Sequence, residues 1–156
     1  MEQERAIITV SETTHVARDP LTVFDFTQDY GRRSEWDPAV RRAHVLDESP
    51  RRVRVAVRGL GSFTIEYRLF RRGERTSAAF VDVDSWVISG GGGSWAYEGQ
   101  GDGTDWTQTN TVELRHPRLL GWMKPLLERS LRTSMRTAMS NARSMLESGG
   151  PAEPTS

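Results

Sequence analysis

The chain has 156 residues, no cysteine, and 21 basic residues against 21 acidic ones. This length fits one domain, and the lack of cysteine excludes disulfides, thiolate metal sites and cysteine nucleophiles. No apolar run approaches the roughly 18 residues of a membrane span, and the polar residues 1–5 show no secretory signal. We therefore expect a cytoplasmic domain over residues 1–148 without an integral membrane segment.

The charges are segregated along the chain. Residues 41–75 hold ten arginines against four acidic residues, whereas residues 76–113 hold six acidic residues and no base. Arginine alternates with valine in part of the basic segment, which favours a solvated sheet face over nucleic-acid or anionic-surface binding. The motifs of RNA-binding sheets are not evident, so we expect no nucleic-acid partner. Lys124 is the only lysine, and this excess of arginine is typical of a GC-rich bacterial genome.

The first predicted elements are a strand and two short helices. Residues 7–16 are rich in Ile, Val and Thr and indicate a strand. Asp19 can cap a helix that begins at Pro20, because its carboxylate accepts from free backbone N–H groups and proline suits the first helical position. A second short helical segment is predicted over residues 29–36.

A series of strands follows, separated by turns. Val53, Val55 and Val57 alternate with arginines, the period-two pattern of a strand with one buried face. The predicted strands cover residues 40–47, 51–58, 63–70, 76–83, 86–98 and 104–115.

The run Gly90-Gly91-Gly92-Gly93 allows two interpretations. It could form a hairpin loop, or it could lie inside the strand 86–98. We favour the strand, because a turn near Asp84-Ser85 then leaves strands of matched length on both sides. Glycine inside a strand often marks a bulge or a close approach to the backbone.

The last element is a long amphipathic helix. From Leu120 to Met145, apolar residues recur at steps of three and four, which predicts one apolar stripe. Pro125 indicates that residues 117–124 form either a separate helical turn or a kinked start, before the main helix at 125–147. Residues 149–156 are expected to be a disordered tail. The predicted fold class is α+β, with an antiparallel sheet of about seven strands curved around this helix, which leaves a cavity between them.

This order of elements, together with local motifs, resembles the START/polyketide cyclase superfamily, also called SRPBCC or helix-grip proteins. The motifs are Val16-Ala17-Arg18-Asp19-Pro20, Val23-Phe24, Asp29, Trp36-Asp37-Pro38-Ala39-Val40, and Trp95-Ala96-Tyr97 before Gly103-Thr104. The resemblance covers residues 7–147, and residues 94–114 look most like the aromatase/cyclase branch. It implies a ligand cavity but supplies no universal catalytic signature.

Three residues are candidates for acid–base chemistry. Glu12 shares strand parity with buried-type valines and could be a desolvated base, or it could lie at a rim beside an arginine. His116 lies between the last strand and the helix, where it could exchange protons or only start the helix. Tyr67 shares the apolar face of its strand and could contact a ligand or a buried partner. The three histidines lack metal-ligand spacing, so we expect no metal and no cofactor.

The candidate ligand-binding residues are aromatic, apolar and amide side chains. Gln108 and Asn110 share one strand face, which is either cavity lining or sheet surface. The predicted lining residues are Trp36, Phe63, Ile65, Tyr67, Trp95, Tyr97, Gln108, Asn110, Met123, Leu127, Leu131 and Met135.

Three functions are compatible with these features. The favoured hypothesis is binding of a small hydrophobic molecule, polyketide-like or lipid-like, in the cavity. The alternatives are a polyketide cyclase, aromatase or dehydratase that works by acid–base catalysis, and a co-chaperone-like interaction module that uses the arginine-rich face. Ligand identity and oligomeric state are not encoded in any pattern we recognise.

Overall fold

A computed structural model describes residues 5–149 of the chain. Residues 150–156, most of the predicted disordered tail, lie outside the described residues. Seven strands form a single antiparallel sheet. They are β1 (Ile7–Val16), β2 (Val40–Glu48), β3 (Arg51–Val57), β4 (Gly61–Arg71), β5 (Arg75–Asp84), β6 (Ile88–Gln100) and β7 (Gly103–Leu114).

The helices fall into two groups, one after β1 and one after β7. The first group is α1 (Pro20–Thr27), a 3-10 turn (Tyr30–Arg32) and α2 (Arg33–Trp36). The second is α3 (Pro117–Leu120), a 3-10 turn (Gly121–Met123) and α4 (Lys124–Ser148). Every predicted strand and helix is present, with ends that differ by up to two residues.

The sheet has the order β1-β7-β6-β5-β4-β3-β2, so the first strand lies beside the last. The remaining neighbours are hairpin partners, as expected for short turns between consecutive strands. Alternation decides which face is buried: Val53 on β3 is fully buried, whereas Arg52 beside it is exposed. The arginine-rich face is therefore the outer face of β2 and β3.

The helix α4 packs against the inner face of the sheet and is anchored at both halves. Met135, Ala138, Met139 and Ala142 are buried on its apolar stripe, and burial of this apolar surface stabilises the packing of the helix on the sheet. Near its end, the Arg18 side chain donates to the Leu146 carbonyl at 2.8 Å.

The short helix α1 begins as predicted. The carboxylate of Asp19 accepts from the backbone N–H of Thr22 at 3.2 Å, and Pro20 occupies the first helical turn. Val23 and Phe24 are buried, which fixes α1 against the sheet. This packing also directs the following segment, including α2, back over the inner face of the sheet.

The glycine run lies inside β6, which confirms the strand interpretation. The pairing of β6 with β7 shifts by one residue between Ile88 and Gly90, which is a bulge. Gly91 has φ +152°, and a Cβ there would lie 2.2 Å from the Thr111 carbonyl oxygen. Only glycine fits so close to the neighbouring strand.

The sheet is open at one end between β5 and β6. Within these fully described strands, the ladder covers only residues 75–79 of β5 and 92–96 of β6. Beyond it, β5 pairs only with β4 and β6 only with β7. The strands therefore diverge towards their connecting turn, residues 85–87, and the glycine run lies at the point of divergence.

Candidate functional site

A cavity of about 220 Å³ lies between α4 and the inner face of the sheet. Most of its wall is apolar. The apolar lining includes Val10, Val40, Val55, Phe63, Ile65, Phe80, Ile88, Trp95, Val112, Leu131 and Met135. The polar lining consists of Tyr30, Arg33, Asp37, Tyr67, Thr76, Gln108, Asn110, Thr111 and Ser134. A mainly apolar wall with a few polar groups is the usual form of a small-molecule site.

The strongest polar feature of the wall is an ion pair carried by α2. Arg33 Nε lies 3.2 Å from Asp37 Oδ2, and the two side chains are only 11% and 12% exposed. The Arg33 guanidinium also lies 4.5 Å from the ring centroids of both Trp36 and Trp95, where cation–π attraction holds it. Charged side chains as deeply buried as these usually form ion pairs, as Arg33 and Asp37 do.

The same guanidinium has an unused donor. Arg33 Nη1 is buried and has no hydrogen-bond acceptor among residues 5–149. A buried donor without an acceptor costs about 1–3 kcal/mol, and more when the group is charged. The wall of the cavity therefore contains an N–H group that an oxygen atom would stabilise.

Gln108 supplies a second such donor from the opposite wall element, β7. Its side chain is 3% exposed, and its Nε2 also has no acceptor within the described part of the chain. Asn110 lies two residues further along the same strand face and also lines the cavity. The open question from the sequence is thereby answered: both amides lie on the inner face.

A buried network of hydroxyl groups borders the ion pair. Tyr67 donates to Gln28 Oε1 at 2.8 Å, so the proton between Tyr67 and Tyr30 comes from Tyr30. Gln28 Nε2 donates in turn to the Tyr97 hydroxyl at 3.0 Å. Burial, more than any other cause, raises the pKa of Tyr67 and of Tyr97 well above the ordinary value. These phenols therefore stay protonated and act as hydrogen-bond donors and acceptors, not as bases.

Glu12 does face α4, as its strand parity predicts, but it does not line the cavity. Its carboxylate accepts from Arg132 at 3.0 Å and from Arg136 at 2.8 Å. The hydrogen bond from Arg132 lowers the pKa of Glu12, and the bond and charge of Arg136 add to this. Of the two alternatives for Glu12, these contacts match the residue beside an arginine and not the desolvated base: the carboxylate is stabilised in its ionised form and joins β1 to α4.

His116 also lies away from the cavity lining. It is exposed, adopts φ +55° just before α3, and its ring centroid lies 5.8 Å from that of Trp86. This geometry matches the alternative of a residue that only starts the helix. Over residues 5–149, no group of three or more His, Asp or Glu side chains is arranged to hold a metal ion.

The predicted lining residues divide into two sets. Those that line the cavity are Phe63, Ile65, Tyr67, Trp95, Gln108, Asn110, Leu131 and Met135. Those that do not are Trp36, Tyr97, Met123 and Leu127. Trp36 and Tyr97 pack in the buried core behind the wall, and Met123 and Leu127 pack against its edge. These four residues lie on the inner side of the sheet, as the lining residues do, but outside the cavity.

Arg33, Asp37 and Tyr30 line the cavity but were not predicted as site residues. Their signal was the i, i+4 spacing of Arg33 and Asp37 beside Trp36, because that spacing places an arginine and a carboxylate side by side on a helix. Asp37 entered only as part of a family motif, and Arg33 belonged to no motif.

A family model described as "Polyketide cyclase / dehydrase and lipid transport" matches residues 8–147. The chain belongs to this family. The match spans every described strand and nearly all of α4. No curated protein sequence matches the chain.

Solved structures of similar fold extend over nearly the whole chain. The Zhui aromatase/cyclase from Streptomyces sp. R1128 is 16% identical, with a TM-score of 0.79 over 96% of this chain and 99% of that one. TTHA0849 from Thermus thermophilus is also 16% identical, with a TM-score of 0.77 over 94% and 100% of the two chains. A START superfamily protein from Mycobacterium smegmatis is 16% identical, with a TM-score of 0.73 over 90% and 97%. At this identity the likeness shows the fold, which this member of the cyclase/dehydrase and lipid transport family shares with them.

Proposed function

We propose that the cavity binds a small, mostly apolar molecule that carries one or two hydrogen-bond acceptor oxygens. Five buried side-chain donors lack an acceptor among the described residues, and two of them, Arg33 Nη1 and Gln108 Nε2, belong to residues that line the cavity. These two donors, in a wall that is otherwise largely apolar, are the observation that carries this proposal. A carbonyl or phenolate oxygen lodged beside either group would supply the acceptor it lacks.

The volume limits the size of this molecule. A cavity of about 150 Å³ lined by apolar side chains holds benzene, and the cavity here measures about 220 Å³. One ring or two fused rings therefore fit, whereas a long acyl chain does not fit without widening. Trp95 in the wall offers an indole face for such a ring system.

The first test compares two ligands that differ in one oxygen atom. Tetralin is a two-ring hydrocarbon, and α-tetralone is the same skeleton with one carbonyl. A hydrogen bond from a charged donor contributes about 1.5–3 kcal/mol, so we expect α-tetralone to bind roughly tenfold to a hundredfold more tightly. Isothermal titration calorimetry measures both dissociation constants directly.

Two matched lysine variants locate the donor. Arg33→Lys keeps a positive charge beside Asp37 but removes the guanidinium N–H group, so the preference for α-tetralone is expected to shrink while tetralin affinity stays the same. Arg32→Lys is the control, because Arg32 is half exposed and pairs with Glu35 on the surface. Equal affinity for the two ligands in the wild-type protein, or binding of neither, would refute the proposal.

A second candidate function is a cyclase or dehydratase, and one observation favours it. Among the described residues that line the cavity, Asp37 is the one carboxylate, and it is bound to Arg33. In the reaction we propose, Asp37 accepts a proton from a carbon next to a carbonyl, and Arg33 stabilises the enolate oxygen. The enolate carbon attacks a second carbonyl, which closes the ring, and the new alkoxide oxygen takes the proton held by Asp37. Asp37 then removes a second proton from the same carbon and gives it to the hydroxyl, which leaves as water and forms a carbon–carbon double bond.

A substitution of Asp37 separates catalysis from binding. Asp37→Asn keeps the size of the side chain and its acceptor oxygen but cannot accept the proton. With a short poly-β-ketone mimic as substrate, the enzyme hypothesis expects turnover in the wild-type protein and its loss in Asp37→Asn, while α-tetralone affinity changes little. If the wild-type protein binds the ligand but does not convert the poly-β-ketone, the binding proposal stands and cyclase activity on poly-β-ketones is excluded.

A further inference from the structure

The segment that leads into α4 is apolar on its outer side. Leu119, Trp122 and Leu126 follow one another at steps of three and four, and they are 57%, 72% and 60% exposed. That spacing places all three on one side of the helical segment. Large apolar side chains this exposed are costly in water, and a cluster of them indicates a contact surface.

The inner side of the same segment is apolar as well. Leu120 is buried, and Met123 and Leu127 pack against the core at the same three- and four-residue steps. A helix with apolar residues all round is normally covered on every side. The core covers the inner stripe, and no described residue covers the outer one to a comparable degree.

Trp86 extends this surface from the neighbouring turn. It is 62% exposed and lies beside His116, directly before α3. Trp86, Leu119, Trp122 and Leu126 are called the tryptophan–leucine patch below. Its members come from two separate segments of the chain, so it is a surface feature of the fold.

The patch lies at the end where the sheet is open. The turn that carries Trp86 joins β5 and β6, whose ladder stops well before it. Ser85 in this turn donates to the carbonyl of Leu60, and Leu60 lines the cavity. The exposed patch and the cavity wall are therefore neighbours.

The helical segment of the patch is basic, whereas Asp84, two residues before Trp86, and Glu128, directly after the segment, are acidic. Residues 115–127 contain Arg115, Arg118 and Lys124 and no acidic residue. Arg115 is tied to the turn of the patch, because its Nε donates to the Ser85 carbonyl at 2.9 Å. The basic helical segment is the part of the patch that is complementary to an anionic partner.

We propose that the tryptophan–leucine patch docks on the surface of an anionic lipid bilayer. Tryptophan favours the level of the lipid headgroups, leucine inserts just below it, and lysine or arginine beside them binds anionic lipid. Among the described helices, none is both long enough and apolar enough to cross a membrane, so the contact is peripheral. Docking would bring the open end of the sheet to the bilayer, where an apolar ligand could pass without entering water.

Vesicle flotation tests the proposal on the full-length protein. We expect binding to vesicles of phosphatidylcholine with about one-third phosphatidylglycerol, and weaker binding to phosphatidylcholine alone. The double substitution Trp86→Ser, Trp122→Ser is expected to lower partitioning by roughly tenfold or more, because two large apolar side chains are lost. Arg118→Gln or Lys124→Gln should lower it about fivefold each, on anionic vesicles only, since one charge contributes about 1 kcal/mol there.

The controls lie on the outer strand β2. Leu46→Ser and Arg41→Gln alter an exposed leucine and an exposed arginine away from the patch, and both variants should bind vesicles like the wild-type protein. Failure of the wild-type protein to float at low salt, or equal binding by the double variant, would overturn the proposal. A dimer in sedimentation equilibrium that the double variant abolishes, without vesicle binding, would assign the patch to self-association instead.

This inference rests on the surface residues and not on what fills the cavity. The α-tetralone titration without vesicles is therefore run on the same double variant. We expect its ligand affinity to equal that of the wild-type protein, so loss of vesicle binding and loss of ligand binding remain separate results.

Discussion

Two buried glutamines give a direct test of the site, because one is fully used by the fold and the other is not. Gln28 accepts from Tyr67 at 2.8 Å and donates to Tyr97 at 3.0 Å, and it is 5% exposed. Gln108 is 3% exposed, and its Nε2 has no acceptor among the described residues. Substitution of each by leucine removes the same amide in a similarly buried place.

The two substitutions are expected to change the free energy of unfolding differently: Gln28→Leu lowers it, whereas Gln108→Leu leaves it unchanged or raises it. Gln28→Leu removes one hydrogen bond from each of two buried tyrosine hydroxyls, which keep only their bonds to Tyr30 and Thr27. At about 1 kcal/mol for each lost hydrogen bond, and more where a buried group stays unsatisfied, we expect a loss of about 1–3 kcal/mol. Gln108→Leu removes a donor that was already unsatisfied and replaces it with an apolar side chain of similar volume. We expect that variant to be as stable as the wild-type protein, or more stable by about 1 kcal/mol.

Urea unfolding followed by circular dichroism measures both values, and thermal unfolding checks them at about 2–4 °C per kcal/mol for a chain of this size. Ligand binding completes the test: Gln108→Leu should weaken α-tetralone but not tetralin. A destabilisation of more than about 1 kcal/mol by Gln108→Leu would refute the reasoning, since it would mean that Nε2 contributes to the stability of the unliganded fold.

Three further predictions concern the glycine run, the cavity volume and pH. Gly91→Ala should lower the free energy of unfolding in urea by about 2–4 kcal/mol, because φ is +152° and the added Cβ would lie 2.2 Å from a carbonyl oxygen. Gly90→Ala should be nearly neutral, because a Cβ there has no atom within 4 Å. Ser134→Leu should fill part of the cavity and lower α-tetralone affinity at least tenfold by calorimetry, while Thr133→Leu on the exposed side of α4 should not. Hydrogen bonds to two aspartates raise the pKa of His15. Its contribution to stability is therefore complete below pH 6.5, the ordinary histidine value, and is lost as pH rises through the higher pKa of the folded state. His15→Gln should abolish this dependence of the free energy of unfolding on pH, measured between pH 5 and about 9.

The fold could be predicted from the sequence because its signals are local. The alternation of valine with arginine decides the faces of β3, Asp19-Pro20 decides where α1 begins, and the three- and four-residue steps decide α4. The position of the glycine run inside β6 followed from matching strand lengths. None of these inferences needs a contact between distant residues.

The site could be predicted only in part, because the decisive facts are long-range. Parity places Gln108 and Tyr67 on one face but cannot show that Gln28 satisfies Tyr67 while Gln108 Nε2 lacks an acceptor among the described residues. The i, i+4 spacing places Arg33 beside Asp37 but does not distinguish the pair from two surface charges, because the packing of α2 against Trp95 is what buries them. Glu12 failed as a candidate base for the same reason, since the arginines that bind it come from α4.

Different elements of the structure form the cavity wall and supply its charged groups. The sheet and α4 enclose the space with apolar side chains, and the ion pair of Arg33 and Asp37 comes from a helix of only four residues. Trp36 of this helix is fully buried in the core, so the helix itself is needed for the fold, whereas Arg33 and Asp37 line the cavity and can change. We therefore expect members of this family with the same cavity but different residues at these two positions to bind different ligands. Transfer of another member's residues to positions 33 and 37, with Trp36 kept, should change the preference for α-tetralone over tetralin without loss of the fold.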